Sequence, residues 1–134
     1  MPAPIQQLNI YIAARKLEDA VIELVGTLQA DRAYPLGDDL RRSATAVAHY
    51  IYQAHHLYSY EMKIESLHQA RTEAEKIQKN LESIGGAKVK KLVEDYTTIV
   101  KQSWGLIKYF KNRQVERAAK AEIRGKDELV LARG

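Results

Sequence analysis

Apolar positions recur along most of this chain at intervals of three and four, the period that gathers side chains on one side of an α-helix. The stretch from Leu40 to Tyr58 shows this most sharply. Leu40, Ala44, Val47, Ile51, Ala54 and Tyr58 fall on one stripe, and Arg42, His49 and His56, with Arg41 at the edge, fall opposite. So narrow a stripe needs other helices to cover it. Upstream, Ile5, Leu8, Ile12, Leu17, Val21, Leu24 and Leu28 predict a first helix. Downstream, Leu67, Ala70, Ala74, Ile77, Leu81 and Ile84 predict a third, and Val89, Leu92, Tyr96, Ile99, Ser103, Leu106 and Phe110 a fourth.

The punctuation between these stripes fits the same reading. Pro35 and Gly37 mark a loop before the second helix, which Asp38 or Asp39 is placed to cap. A soft break is expected at His55 to Ser59, with Ser59 capping the third helix, and Gly85-Gly86 ends that helix. No segment alternates strictly between apolar and polar, so no strand is expected. The expected fold is all-α: an antiparallel up-down four-helix bundle over residues 5–111, followed by a basic C-terminal helical extension over residues 112–134.

The fourth helix carries more apolar surface than one seam requires. Val93, Val100 and Ile107 form a second stripe, and Trp104 adds to it. These four residues are the expected oligomer interface, because apolar patches of that extent mark contacts. The alternative is a deep position for this helix within one monomer.

Composition narrows the class. With 134 residues and no cysteine, the chain is sized for one domain and has neither disulfides nor thiolate metal sites. The opening Met-Pro-Ala-Pro lacks the pattern of a secretory leader, and no apolar run approaches the roughly twenty residues of a membrane span; the expectation is a cytoplasmic protein with no membrane partner. The charge is uneven. Residues 1–100 hold 12 Lys and Arg against 13 Asp and Glu, a balance of −1, whereas residues 101–134 hold 9 against 4, a balance of +5. A positive field concentrated at one end attracts a polyanion; the plain alternative is a solubilising tail.

Motifs for catalysis are missing. There is no G-x-S-x-G elbow and no phosphate-binding G-x-x-x-x-G-K-[ST] loop. His55 and His56 are adjacent, so on a helix they point about 100° apart and cannot share a metal. Glu65 and His68 make one E-x-x-H pair without the second copy that a di-iron bundle needs. No enzyme activity, metal or cofactor is expected.

What the chain does offer is cations in register. Arg113, Arg117, Lys120 and Arg124 are spaced four, three and four; Lys90, Lys101 and Lys108 form a second row, with Lys111 following it. Two such rows on a long helix suit a phosphate backbone, which rewards clustered cations by counterion release. Together with Arg41 and Arg42, these are the candidate nucleic-acid contacts, to RNA or DNA and directed at the backbone. No aromatic residue interleaves the row along the sequence, so base stacking is not expected. The second reading is a structural or protein-interaction bundle whose tail docks on a protein partner through Leu129-Val130-Leu131.

The segment Leu40-Arg41-Arg42-Ser43-Ala44-Thr45-Ala46-Val47, followed by Ile51, resembles the L-R-R-A-A-x-S-I segment of a family of small four-helix bundle proteins. These are encoded within intervening sequences of bacterial 23S ribosomal RNA genes, and the Avd accessory proteins of diversity-generating retroelements are their relatives. Leu67, Ala70, Arg71 and Leu81 match the family's third helix, and Tyr11 an early tyrosine of its first. The match runs from about Ile5 to Phe110. This chain is a divergent case: Tyr50, Gln53 and Ala54 stand where the family has Asn, Glu and Gly, and Thr72-Glu73 replaces its Gly-Ser. The resemblance implies a bundle that assembles as a homopentamer and, in the Avd branch, a basic surface that binds nucleic acid and a reverse transcriptase as partner.

Overall fold

The computed structural model describes the backbone of residues 2–133 and the side chains of residues 7–30 and 32–125. Four long helices account for most of it: α1 (Pro2–Gly26), α2 (Asp38–His56), α3 (Tyr60–Ile84) and α4 (Ala87–Arg133). No strand occurs among the described residues. Each helix packs on the next, and α4 closes back on α1. The order is antiparallel. Gln7 near the start of α1 meets His55 near the end of α2, with Oε1 and Nδ1 2.8 Å apart. Tyr60 at the start of α3 stacks on Phe110 of α4 at 5.8 Å between ring centroids. The protein is therefore an all-α up-down bundle, and no described helix is long and apolar enough to cross a membrane.

The stripes of α2, α3 and α4 turn inward as their spacing requires. Leu40, Ala44, Val47, Ile51 and Ala54 face Leu67, Ala70, Ala74, Ile77 and Leu81, and the layer is completed by Val89, Leu92, Tyr96, Ile99, Leu106 and Phe110. Burial of a large aliphatic side chain contributes about 1.5–3 kcal/mol, so this seam outweighs every polar contact in the fold. Polar ties fix the register between neighbours. The Ser66 hydroxyl donates to the Tyr50 carbonyl at 2.7 Å, and Gln78 Nε2 donates to Thr97 Oγ1 at 2.7 Å.

The first helix departs from the expected register. Leu8 and Ile12 are exposed, at 56% and 44%, and the buried series is Gln7, Ile10, Ala14, Glu18, Val21 and Val25. Two polar residues thus occupy inward positions that a hydrophobicity pattern passes over. Glu18 is satisfied by an ion pair with Arg15 one turn away. The Tyr96 hydroxyl, buried with no hydrogen-bond partner, is pushed well above its ordinary pKa by desolvation and, secondarily, by the Glu18 carboxylate.

The ends of the helices follow glycine and serine chemistry. Gly85 and Gly86 adopt φ values of 77° and 106°, a region that side chains with a Cβ avoid, and this turns α3 into α4. Gly37 is buried against α1; a Cβ there would lie 2.9 Å from Val25 Cγ1, so only glycine lets the connection pass. Ser59 caps α3 as expected, its hydroxyl accepting from the Met62 amide at 3.0 Å. The aspartate cap on α2 does not form. Gly37 occupies the cap position in helical conformation, because the chain is already helical there, the extended residue of the connection being Tyr34 three positions earlier; the Asp38 carboxylate instead takes Arg41 and Arg42. Tyr58 also leaves the stripe assigned to it. The second helix ends at His56, the helical period no longer applies, and the Tyr58 ring is 99% exposed.

Candidate nucleic-acid interface

One dimension of the fold decides where charge can act. α4 has 47 residues against 25 in α1 and α3. At about 1.5 Å per residue it is roughly 70 Å long, nearly twice the bundle. Its first half is built into the core as far as Phe110. Beyond that, every described side chain to Arg124 is exposed except the half-buried Arg113. The helix continues because its residues favour helix, with Ala118, Ala119 and Ala121 among Glu, Lys and Arg, and because the bundle half supplies the nucleus that an isolated helix lacks.

The candidate cations separate into four places. Arg113, Arg117, Lys120 and Arg124 lie on the extension, and all but Arg113 are exposed. At 100° per residue their row points about 60° from the core-facing stripe of α4, so it overhangs the end of the bundle. Lys90, Lys101 and Lys108 point about 160° from that stripe, straight out to solvent, and do not share a face with the first row. Lys111 is exposed at the junction. Arg41 and Arg42 are at the start of α2, the opposite end of an antiparallel bundle, and both are engaged by Asp38, Arg41 at 3.3 Å. The structure therefore keeps Arg113, Arg117, Lys120 and Arg124 in one row, puts Lys111 at its start on another face of the helix, and leaves Arg41, Arg42 and Lys90 remote from them.

At the overhang the cations meet rings. The Arg117 guanidinium lies over Tyr60 at 4.6 Å from the ring centroid. Arg113 hydrogen-bonds Tyr60, and this bond, with the charges of Tyr60 and Tyr109, holds its guanidinium above its ordinary pKa; it also pairs with Glu116 at 3.1 Å. Lys63 is committed elsewhere. Its ammonium donates to the carbonyls of Ala54 at 2.8 Å and His55 at 3.2 Å, closing the end of α2, and burial lowers its pKa. Tyr52 and His56 pack ring to ring at 4.3 Å on the same end of α2. The expectation that no aromatic accompanies the row holds along the chain but not in space, because Tyr60 arrives from the start of α3. A signal was present: four of the eight tyrosines fall at positions 50, 52, 58 and 60.

The expected interface on α4 is largely used within the monomer. Ile107 is 1% exposed and belongs to the core, since α4 rotates this stripe into its groove with α3; Val93 and Val100 are half-buried against the same core. Trp104 stays 45% exposed, with the Arg71 guanidinium over its ring at 4.6 Å and His68 at its edge. The exposed apolar surface sits instead on the outside of α1, at Leu8, Ile12 and Ile22. Sequence reading missed these three because it placed the first two in the core.

Nothing among the described residues gathers three or more His, Asp or Glu side chains as a metal site would. A groove of about 460 Å³ lies between α1 and α4, lined by Leu17, Ala20, Leu24 and Leu92 with Lys16 and Lys91 at its rim.

No family model and no curated protein matches the chain. A solved structure does share its fold: a protein of unknown function from the S23 ribosomal protein family of Bacteroides thetaiotaomicron VPI-5482. The two superpose with a TM-score of 0.71 at 19% identity, covering 98% of that chain and 77% of this one. At that identity the likeness establishes the four-helix fold, and this chain carries residues that have no counterpart there.

Proposed function

We propose that the protein is a non-catalytic nucleic-acid-binding accessory protein that works as a homo-oligomer, a pentamer in the reading that the sequence resemblance supports. Its enzyme partner is one that handles RNA, a reverse transcriptase of the diversity-generating retroelement type foremost. The observation that carries the binding role is the overhanging row Arg113, Arg117, Lys120 and Arg124, presented on a helix with almost no other contact to the bundle. Cations so placed meet phosphates without displacing any core group, and contacts of that kind are to the backbone and indifferent to sequence. An oligomer multiplies them by presenting several rows to one strand. The outer stripe Leu8, Ile12 and Ile22 supports assembly better than the α4 stripe does.

The test is binding of RNA and DNA across a salt series. Replacing all four row residues by Gln should weaken binding to every sequence alike and lower the salt slope by about one for each lost contact. Unchanged affinity at every salt concentration would remove the row from the site. A parent protein that binds no nucleic acid at low salt leaves the alternative, a bundle whose extension docks on a protein; the exposed Val115 and Ile123, at 68% and 60%, favour that reading. Leu129-Val130-Leu131, also assigned to it, lies outside the described side chains.

A further inference from the structure

We infer that the corner where α4 leaves the bundle selects single-stranded nucleic acid, stacking unpaired bases on tyrosine while the row beyond it holds the phosphates. This rests on the nucleic-acid reading above and adds the class of strand.

Two kinds of group share the corner. The first is ring surface open to solvent. Tyr58, in the turn between α2 and α3, is 99% exposed, whereas Tyr52 packs against Tyr11 of α1 and His56 and belongs to the other flank. A large ring left wholly in water gains nothing from the fold around it, so the fold gives no reason for tyrosine at this position. The second is cationic. Tyr58 is two residues from Tyr60, hence within about 7 Å along the backbone. Tyr60 itself is already covered by Arg117 and bonded by Arg113. An open ring in the turn and a guanidinium row on α4 are thereby held near one another.

This combination separates strands by form. A base in a duplex has both faces covered by its neighbours and offers nothing to a ring; a base in a single strand has a free π-face and stacks on tyrosine whatever its identity. Phosphates are present in both forms, so the cation row alone treats them alike. Arg117 shows that a planar cation already uses the Tyr60 face. Tyr58 supplies the face left for a base, and the Arg113–Glu116 pair is exposed enough to yield to a phosphate.

The experiment measures anisotropy of a labelled single strand of mixed sequence, and of the same strand in a duplex, over a salt series with the full chain. The expected result is tighter binding of the single strand. Tyr58→Ala should weaken it about fivefold or more and leave the duplex affinity and the salt slope unchanged, and Tyr58→Phe should bind as the parent does. Tyr58 is too exposed for its loss to unfold the bundle, and an unchanged circular dichroism spectrum is the control for each variant. Equal affinity for single strand and duplex, or a Tyr58→Ala variant that binds like the parent, would overturn the inference while leaving the cation row in place. Absence of any binding at low salt overturns both readings together.

Discussion

The two halves of α4 are one helix with two physical regimes. From Ala87 to Phe110 its inward positions are closed by three other helices: Val89, Tyr96, Ile99, Leu106 and Phe110 are all under a tenth exposed. Past Lys111 the same backbone geometry continues, and among the described residues the side chains to Arg124 are exposed except Arg113, with Tyr60 under Arg117. In the first half, position along the helix determines what a residue contributes. In the second, helix propensity and charge do the work, and a side chain answers only to solvent and to whatever binds. Function is therefore easiest to place where stability is least demanding, since cations such as Arg117 and Lys120 can be grouped there without desolvating any of them.

A matched pair of truncations breaks this comparison if it is wrong. Ile99→Ala, at a position 1% exposed, should cost about 2–5 kcal/mol in urea unfolding. Val115→Ala, sixteen residues on and 68% exposed, should stay within about 0.5 kcal/mol of the parent. Comparable losses at both sites would mean that the extension is packed against something, which in a single chain of this fold can only be another copy or partner.

A smaller effect sharpens the boundary. Ser59→Ala removes the hydroxyl that caps α3 and should destabilise the bundle by about 1 kcal/mol. Because Tyr60 begins that helix and carries Arg117, fraying there should also speed amide exchange around Arg113 and Arg117. Exchange that stays unchanged on the extension would show that the two halves of α4 are uncoupled at the corner.

The bundle was legible wherever apolar side chains followed the helical period without competition. Leu67, Ala70, Ala74, Ile77 and Leu81 are all inward, as are the α2 positions up to Ala54. α1 was misread because its inner face contains Gln7, Ala14 and Glu18, while Leu8 and Ile12 make a stronger pattern on its outer face. Hydrophobicity marks apolar faces wherever they point, and Leu8, Ile12 and Ile22 make one on the outside of α1. The row on the extension was legible from spacing alone, since it needs only a helix to exist. The corner was not. Arg117 and Tyr60 are 57 positions apart in sequence, and only the antiparallel return of α4 along α3 brings them to 4.6 Å.

The weakest expected effect crosses the boundary between the two regimes. His68 on α3 has its pKa lowered, first by desolvation, then by the charges of Arg71 and Lys111, with Glu65 acting the other way. Lys111 is the first residue of the exposed half, so the extension bears electrostatically on the body. A histidine whose folded pKa lies below its unfolded value binds fewer protons when folded. Stability is then fully present at neutral pH and above, and it declines as pH falls through the ordinary value of 6.5, until the folded group also protonates. His68→Gln should flatten the denaturation midpoint over that window. Lys111→Gln should flatten it less, because it removes only the third-ranked cause, and added salt should imitate Lys111→Gln in the parent by screening that charge. Both changes should be smaller than the loss of the Ser59 cap, since His68 is only partly buried and water screens its neighbours. A parent whose midpoint is level across this window, or a Lys111→Gln variant that keeps the full slope at low salt, would show that the extension places no field on the bundle.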